Sequence, residues 1–207
     1  LADQWRLVHD IVTHGVQGHN LTNANLEGAN FAEADLSNVD FTGANLAGAT
    51  LESANLPNTI FTDTDLTEAD LFIANLQNST FTNSDLTEAT LRAADLRNTD
   101  LTGSTLSEAD LANSYLADAT LTEALLNKAD LESAILTNAQ LDNANLERVN
   151  LFLADLEGSQ LGGANLERAR LEGANITDTS ISLGNLVGTN LRGIASRNID
   201  LQGVDLS

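Results

Sequence analysis

The chain has 207 residues, a formal net charge of −21 and a pI near 4.1. This charge argues against direct binding to nucleic acid or to an anionic membrane, because both need a basic surface. The chain has no cysteine, which excludes a disulfide framework and thiolate chemistry, and no apolar run approaches the roughly 20 residues of a membrane span.

The absence of cysteine suits a reducing compartment, and no signal-peptide pattern is visible at the N-terminus. We therefore expect a cytoplasmic protein. The first residue is Leu1 rather than methionine, so we also expect that an upstream segment was removed. Removal of a targeting segment would leave a periplasmic or thylakoid-lumen location open.

Residues 1–19 precede the repeat and are predicted to form a capping helix and a linker. Asp3 can act as the N-cap and Gly15 as the C′ residue, so the helix would run to about His14. The predicted apolar face consists of Trp5, Val8 and Val12, with Ile11 beside them. The helix could dock a partner, but we favour a cap over the open repeat core, because solenoids need capped ends.

From residue 20 onward, a three-residue phrase of the type Ala24–Asn25–Leu26 returns every five residues. If the central apolar residue is numbered i, 31 of its 38 sites are Leu, four are Phe, two are Ile and one is Ser196. Position i−2 is Ala at 21 of 37 sites, and position i−1 is Asn or Asp at 24 of 38 sites. A period of five fits neither a plain helix nor a plain strand. It predicts a narrow coil, with small and large side chains inside and Asn or Asp bonding the backbone of its turns.

The repeated A(D/N)LXX sequence resembles the pentapeptide repeat family, and its uninterrupted run of repeats is similar to that of cyanobacterial members. The resemblance covers residues 21–207. It implies an all-β solenoid, a right-handed quadrilateral β-helix with four pentapeptides in each 20-residue coil. The expected organisation is a short α-helical cap at residues 1–19 followed by a β-helix of about 9.5 coils at residues 20–207.

Positions twenty residues apart, called a column below, share chemistry, which supports the 20-residue coil independently. Phe41, Phe61 and Phe81 would stack in the core. One column is mainly Asn and predicts turns with positive φ, whereas another contains Glu, Lys and Arg and predicts a different turn type. These two columns are Asn38, Asn58, Asn78, Asn98, Asp118, Asn138, Gly158, Asp178 and Asn198, and Gly28, Gly48, Glu68, Glu88, Glu108, Lys128, Arg148, Arg168 and Gly188.

The sequence predicts no enzyme, no cofactor and no metal site. Its three histidines, His9, His14 and His19, lie in or just after the capping helix, and a five-residue spacing does not place two of them on one helical face. Carboxylates are abundant, but acid–base catalysis needs them in a partly dry cleft. A convex rod without inserted loops offers no such cleft.

Two kinds of outward residue are candidates for a partner surface. Apolar pairs occupy equivalent outward positions four coils apart, and a column of glutamates reverses to basic residues further along. The alternatives are an ordinary solvated face with Glu147 and Glu167 pairing with the basic residues, or a polarised binding face. The candidate residues are Phe72, Ile73, Phe152, Leu153, Tyr115, Ile135, Glu68, Glu88 and Glu108.

We expect a non-enzymatic protein–protein interaction scaffold whose partner is an unknown protein, with a basic partner suiting the charge. The alternative implied by the resemblance is an acidic DNA mimic that binds type II topoisomerase (gyrase), as quinolone-resistance members of the family do. Those members resemble dimers joined at a C-terminal helix, and some carry loops that interrupt the coil. Neither feature is visible in this sequence. The repeat runs to residue 207 without a capping helix, so self-association through the uncapped C-terminal coil is also expected.

Overall fold

One helix precedes the repeat in the structure, a computed structural model that describes residues 2–15 and 20–206, with side chains from residue 6. The helix, α1, spans Ala2–His14. Gly15 follows it with a φ of 85°, and its N–H donates to the carbonyl of Ile11 at 2.8 Å. This single bond in a left-handed residue closes the helix as predicted. The helix begins at Ala2, so Asp3 lies in its first turn rather than at the N-cap.

The buried face of α1 differs from the predicted one at two residues, Leu7 and Val12. Val8 and Ile11 are buried in the core and Leu7 packs against it, whereas Val12 is 46% exposed. Leu7 and Val8 flank Ile11 on the contact face, and Val12 lies about 100° further round the helix from Ile11. The predicted burial of Val12 was therefore wrong. The side chain of Trp5 and the whole of His19 lie outside the described part of the chain.

The remainder of the described chain is a β-helix built from isolated parallel bridges rather than long strands. Each bridge joins two i−1 residues twenty positions apart, from Asn25↔Asn45 to Asn185↔Asp205. One coil therefore takes twenty residues and contains four turns, as the columns predict. The right-handed course and the count of about 9.5 coils stay predictions.

In most pentapeptides that follow an Asn or Asp at i−1, all five backbone N–H groups are hydrogen-bonded. Four N–H groups donate to backbone carbonyls, three of them in adjacent coils, and the fifth donates to the side chain at i−1. In pentapeptide 46–50 the acceptors are, in order, the Asp65 carbonyl at 2.7 Å, the Asn45 side chain at 3.0 Å, and the carbonyls of Thr67 at 2.8 Å, Leu46 at 2.9 Å and Ala29 at 2.9 Å. Complete pairing allows coils to stack without regular strands.

The side-chain bond explains why Asn and Asp dominate position i−1. Their Oδ1 atoms accept from the N–H two residues later at 2.9–3.4 Å, which is an Asx-turn. Asn55 is the informative exception, because the residue two positions on is Pro57, which has no N–H. Its side chain instead donates to Asp35 at 3.0 Å and accepts from Asn75 at 2.9 Å.

All four corners of the coil use one turn geometry. Every i+2 residue from Asn23 to Gly203 has a positive φ. In most repeats the next residue donates its N–H to the carbonyl of residue i. This holds for Asn98 (φ 58°) and equally for Glu68 (56°) and Arg148 (58°). The prediction of a different turn type for the charged column was wrong, because the bonds between coils impose the same turn on every side chain.

The interior is filled as the repeat predicts. The i residues are buried from Leu21 to Leu186, and the rings of Phe41, Phe61 and Phe81 stack with centroid distances of 5.3 Å and 4.6 Å. Buried hydroxyls at i−2 donate to nearby carbonyls, for example Ser114 to Leu111 at 2.6 Å. Among the described residues no buried side-chain polar atom lacks a hydrogen-bond partner.

The last described coil is less buried. Leu201 and Leu206 are exposed although they occupy i positions, because no further coil stacks on them within the described residues. The larger residues that replace Ala at i−2, Ile194, Ile199 and Val204, still pack against the core.

Candidate partner-binding surface

Two shallow grooves lie at the two ends of the rod. One, of about 300 Å³, lies between α1 and the first coils and is lined by Val8, His9, Val12, Asn30 and Ala32. The other, of about 360 Å³, is lined by Ser182, Leu183, Asp200, Gln202 and Gly203. Among the described residues, the lining of the first groove contains His9 but no nucleophilic side chain, and that of the second contains Ser182 and Asp200 but no histidine.

Within residues 2–15 and 20–206, no group of three or more His, Asp or Glu side chains is placed to hold a metal ion. His14 contacts Asp10 on the exposed surface of α1, with 2.9 Å between Nδ1 and Oδ1. Over the same residues, no helix has the length and apolar character needed to cross a bilayer.

The acidic residues are unevenly balanced by cations along the rod. Residues 20–91 contain eleven carboxylates and no Lys or Arg, and none of the eleven is buried. Residues 92–207 contain seventeen carboxylates and eight cations. We call residues 20–91 the acidic half; within it Glu68 and Glu88 occupy one column in adjacent coils.

The cations that follow the acidic half are largely held in local ion pairs. Lys128 Nζ lies 2.6 Å from Glu108 Oε1, one coil earlier in the same column. Arg148 and Arg168 pair with the preceding residues, Glu147 at 3.4 Å and Glu167 at 3.6 Å, as predicted. The basic part of the column is thus neutralised by its own neighbours and does not offset the acidic half.

Two further ion pairs involve arginines near the middle of the rod. Arg97 makes a two-point contact with Asp95, at 2.8 Å and 2.6 Å. The hydrogen bond from Arg97 holds the pKa of the Asp95 carboxyl below its ordinary value, against the opposing effect of partial burial. Arg92 reaches Asp110 at 3.4 Å, with both side chains exposed.

The apolar pairs lie on one corner of the coil. Ile73 and Leu153 are 47% and 54% exposed, whereas Phe72 and Phe152 are half-buried. Phe152 is covered by Arg170, whose Cζ lies 4.1 Å from the ring centroid, a cation–π contact. The structure therefore presents Ile73 and Leu153 to solvent more fully than the phenylalanines.

Both exposed members of these pairs occupy the left-handed i+2 position. Their φ values are 50° for Ile73 and 58° for Leu153. This conformation costs an L-residue roughly 1–2 kcal/mol and is least suited to a β-branched side chain such as Ile. The side chain of Leu153 lies over Gly173 in the next coil. A Cβ atom added at Gly173 would be only 2.7 Å from Leu153 Cδ2. The fold accommodates these side chains but does not bury them.

Tyr115 and Ile135 lie in adjacent coils of the column that contains Asp95. Their backbones form one bridge, Tyr115↔Ile135, and replace the Asn or Asp of the Asx-turn. Tyr115 is exposed and Ile135 is half-buried. They interrupt the column of hydrogen-bonded Asn and Asp side chains on this face. They lie on the face next to the corner that carries Phe152.

Three exposed apolar residues were missed by the sequence reasoning. Leu183 is 74% exposed and, like Ile73, occupies an i+2 position, so its place in the repeat could have revealed it. Ile60 and Leu125 are exposed at i−1, where most repeats carry Asn or Asp. A large apolar residue at i−1 or i+2 is thus the signal for an exposed apolar side chain in this fold.

Comparison with known proteins agrees with this architecture. A family model described as a pentapeptide repeat region matches residues 19–91 and 74–151, and a model of eight pentapeptide repeats matches residues 154–193. No curated protein matches the sequence significantly. Among solved structures, HetL from the cyanobacterium Nostoc sp. strain PCC 7120, involved in heterocyst differentiation regulation, is 30% identical over 95% of both chains, with a TM-score of 0.42.

Two other solved structures have the same kind of repeat. Rfr23 from the cyanobacterium Cyanothece 51142 is 35% identical over 50% of this chain and 64% of its own, with a TM-score of 0.36. Trypsin-treated QnrB1, a plasmid-mediated fluoroquinolone resistance protein, is 18% identical over 86% of this chain and 88% of its own, with a TM-score of 0.60. The last similarity supports the fold.

Proposed function

Because the chain belongs to the pentapeptide repeat family, we propose that it is a non-enzymatic scaffold that binds a basic protein partner along its acidic half. The observation that carries the proposal is the run of eleven carboxylates in residues 20–91 without one Lys or Arg. A convex rod with this charge can recognise cations over an extended surface.

The spacing of the carboxylates favours a bound cation. Residues of one column lie about 4.8 Å apart in adjacent coils, so Glu68 and Glu88 repel each other across this distance. Cationic side chains placed between them would relieve the repulsion and steer the encounter of the two proteins. The neutralised column further along, from Glu108 to Arg168, offers no equivalent site.

The backbone that carries these two glutamates is preorganised for binding a partner. Both glutamates stand on turns with the same geometry, with φ values of 56° and 58°, and each turn is bonded to the coil that follows it. Little backbone freedom would be lost on binding, so the cost of association falls mainly on the side chains.

The test of this function is protein capture by charge-matched variants. Immobilised wild-type protein is expected to retain basic proteins from a bacterial lysate, to be identified by mass spectrometry. The double change Glu68→Gln and Glu88→Gln should weaken retention about fivefold, since two exposed charges that contribute about 0.5 kcal/mol each amount to about 1 kcal/mol. The control is Glu147→Gln with Glu167→Gln, which removes two carboxylates that are already paired with arginines. Equal weakening by both variants, or retention that does not fall between 50 and 300 mM salt, would contradict the proposal.

A second candidate function is an acidic DNA mimic that binds type II topoisomerase. The uncompensated charge of the acidic half favours it, and the likeness to QnrB1 supports the fold alone. A mimic is expected to inhibit DNA supercoiling by purified gyrase at micromolar concentration, with inhibition that weakens steeply as salt rises. Unchanged supercoiling in the presence of excess protein would exclude this function and leave the scaffold proposal intact.

A further inference from the structure

The corner that carries the apolar pairs has a symmetric order of residues along the rod. We call it the corner strip and define it as residues 72–73, 92–93, 112–113, 132–133 and 152–153. Its apolar ends lie two coils on either side of Ala112 and Asn113, about 19 Å apart at 4.8 Å per coil. The middle of the strip is polar: Ala112 is buried, Arg92 and Asn113 are exposed, and Glu132 is half-buried.

The ends of the strip combine exposure with an unfavourable backbone conformation. Ile73 and Leu153 stand at positive φ, where the same position elsewhere carries mainly Gly, Asn or charged residues. Each leaves about half of its surface in solvent, so internal packing does not account for the choice of residue. Exposed apolar side chains held at positions of backbone strain point to a contact with another molecule.

We propose that the corner strip binds the corner strip of a second copy of this chain, with the two rods antiparallel. A two-fold axis at the level of Asn113 places Phe72 opposite Phe152 of the second copy and Ile73 opposite Leu153 of the second copy. The two apolar contacts then lie at opposite ends of one interface whose middle is polar.

Charge distinguishes this arrangement from a parallel one. In the antiparallel pair Arg92 lies at the level of Glu132 of the second copy, and its exposed contact with Asp110, at 3.4 Å, does not bury it. In a parallel pair Arg92 would lie level with Arg92, Glu132 with Glu132, and the two acidic halves would lie side by side. The antiparallel pair instead places each acidic half beside the half that carries the cations.

The contact is a narrow line between two rods, so we expect weak association, with a Kd on the order of 10–100 µM. The net charge of −21 on each copy opposes dimerisation. Added salt should therefore strengthen the dimer by screening this repulsion, whereas it should weaken the binding of a basic partner. Self-association through the corner strip is separate from the proposed capture of a basic protein, and either can fail alone.

Single cysteines test the geometry directly, because the natural chain has none. Asn113→Cys lies on the proposed axis, so it faces its own copy in the second chain and should form a disulfide dimer under mild oxidation faster than a cysteine on another corner. Asn138→Cys is the matched control, because it has nearly the same φ, 58° against 61°, on a different corner. Ile73→Cys alone should cross-link no faster than this control, whereas Ile73→Cys combined with Leu153→Cys should cross-link rapidly. Fast cross-linking of Ile73→Cys alone, or equal rates for Asn113→Cys and Asn138→Cys, would overturn the proposal.

Sedimentation equilibrium gives the second readout. The wild-type chain should show a monomer–dimer equilibrium between 1 and 500 µM that shifts towards dimer at 0.5 M salt. Ile73→Ser with Leu153→Ser should abolish the dimer, whereas Ile60→Ser with Leu125→Ser, which removes exposed apolar side chains from other columns, should retain it. A wild-type chain that stays monomeric at 500 µM, or equal loss in both variants, would refute self-association through the corner strip.

Discussion

Replacing Phe61 with alanine is expected to lower the free energy of unfolding by about 4–5 kcal/mol, close to the upper end for a buried aromatic residue. Phe61 is fully buried, and its ring stacks on Phe41 at 5.3 Å and on Phe81 at 4.6 Å. The substitution removes the buried ring, leaves a cavity between two closely spaced coils, and removes both ring contacts.

Urea unfolding would measure this loss, with amide hydrogen exchange of the flanking coils as a local readout, since a repeat array need not unfold in one step. Phe61→Leu is the control, because Leu occupies most i positions and should cost only about 1–1.5 kcal/mol. A loss below about 1 kcal/mol for Phe61→Ala would mean that the coils collapse into the cavity and that the packing is softer than the structure indicates.

Replacing Ala119 with aspartate is expected to destabilise the rod by about 4 kcal/mol or more at pH 7. Ala119 is fully buried at i−2, so the new carboxylate would lose its hydration without gaining a cation. Burial would raise the pKa of this carboxyl above its unfolded value of about 3.9. The destabilisation should therefore be smallest at acid pH, where the group is neutral, and should grow as the pH rises through the raised pKa.

The matched control for this variant is Ala119→Ser. Serines already occupy this position in other repeats, and Ser104, Ser114 and Ser159 donate to the carbonyl three residues earlier at 2.6–2.7 Å. The serine variant should stay within about 1 kcal/mol of the wild type. Thermal and urea midpoints over pH 4–8 would compare the two, and equal stability of both variants at pH 7 would contradict the closed interior.

The interior of the rod could be predicted from sequence because one spacing determines it. A large apolar residue at every fifth position can be buried only if the chain turns at each pentapeptide, and the burial from Leu21 to Leu186 follows. The exposure of Leu201 and Leu206 could not be predicted from the same spacing, because burial also needs a coil on the other side. Val12 was misjudged for a similar reason, since an apolar stripe does not specify which part of it contacts the core.

The turns show where residue preference is a poor guide. Asn tolerates positive φ and Glu or Arg does so less readily, which led to the prediction of two turn types. The structure has one, because the N–H of each i+2 residue from Asn23 to Leu183 is bonded to the next coil, and this bond holds Asn98 and Arg148 at the same φ of 58°. A side chain that disfavours positive φ therefore makes its turn less stable, but it does not change the geometry of the turn.

The columns of the repeat showed where the candidate surface residues lie, but not which of these side chains are most exposed. The outward positions of Ile73 and Leu153 and the pairs of Glu147 and Glu167 with arginines followed from the repeat. The pair of Arg97 with Asp95 was missed, although both residues lie two positions apart across one core Leu. Exposure also separated Tyr115 from Ile135, because it depends on neighbouring side chains rather than on the column alone.

The regular backbone bonding between successive coils has a consequence for how such a chain can change through evolution. A duplication or deletion of twenty residues adds or removes one layer and returns every later side chain to its former face. A change of five residues also leaves the interior and the turns intact, but it turns all later side chains by one face. Unequal recombination in a gene of this kind can therefore produce new surface chemistry, or a rod of new length, from parts that already fold.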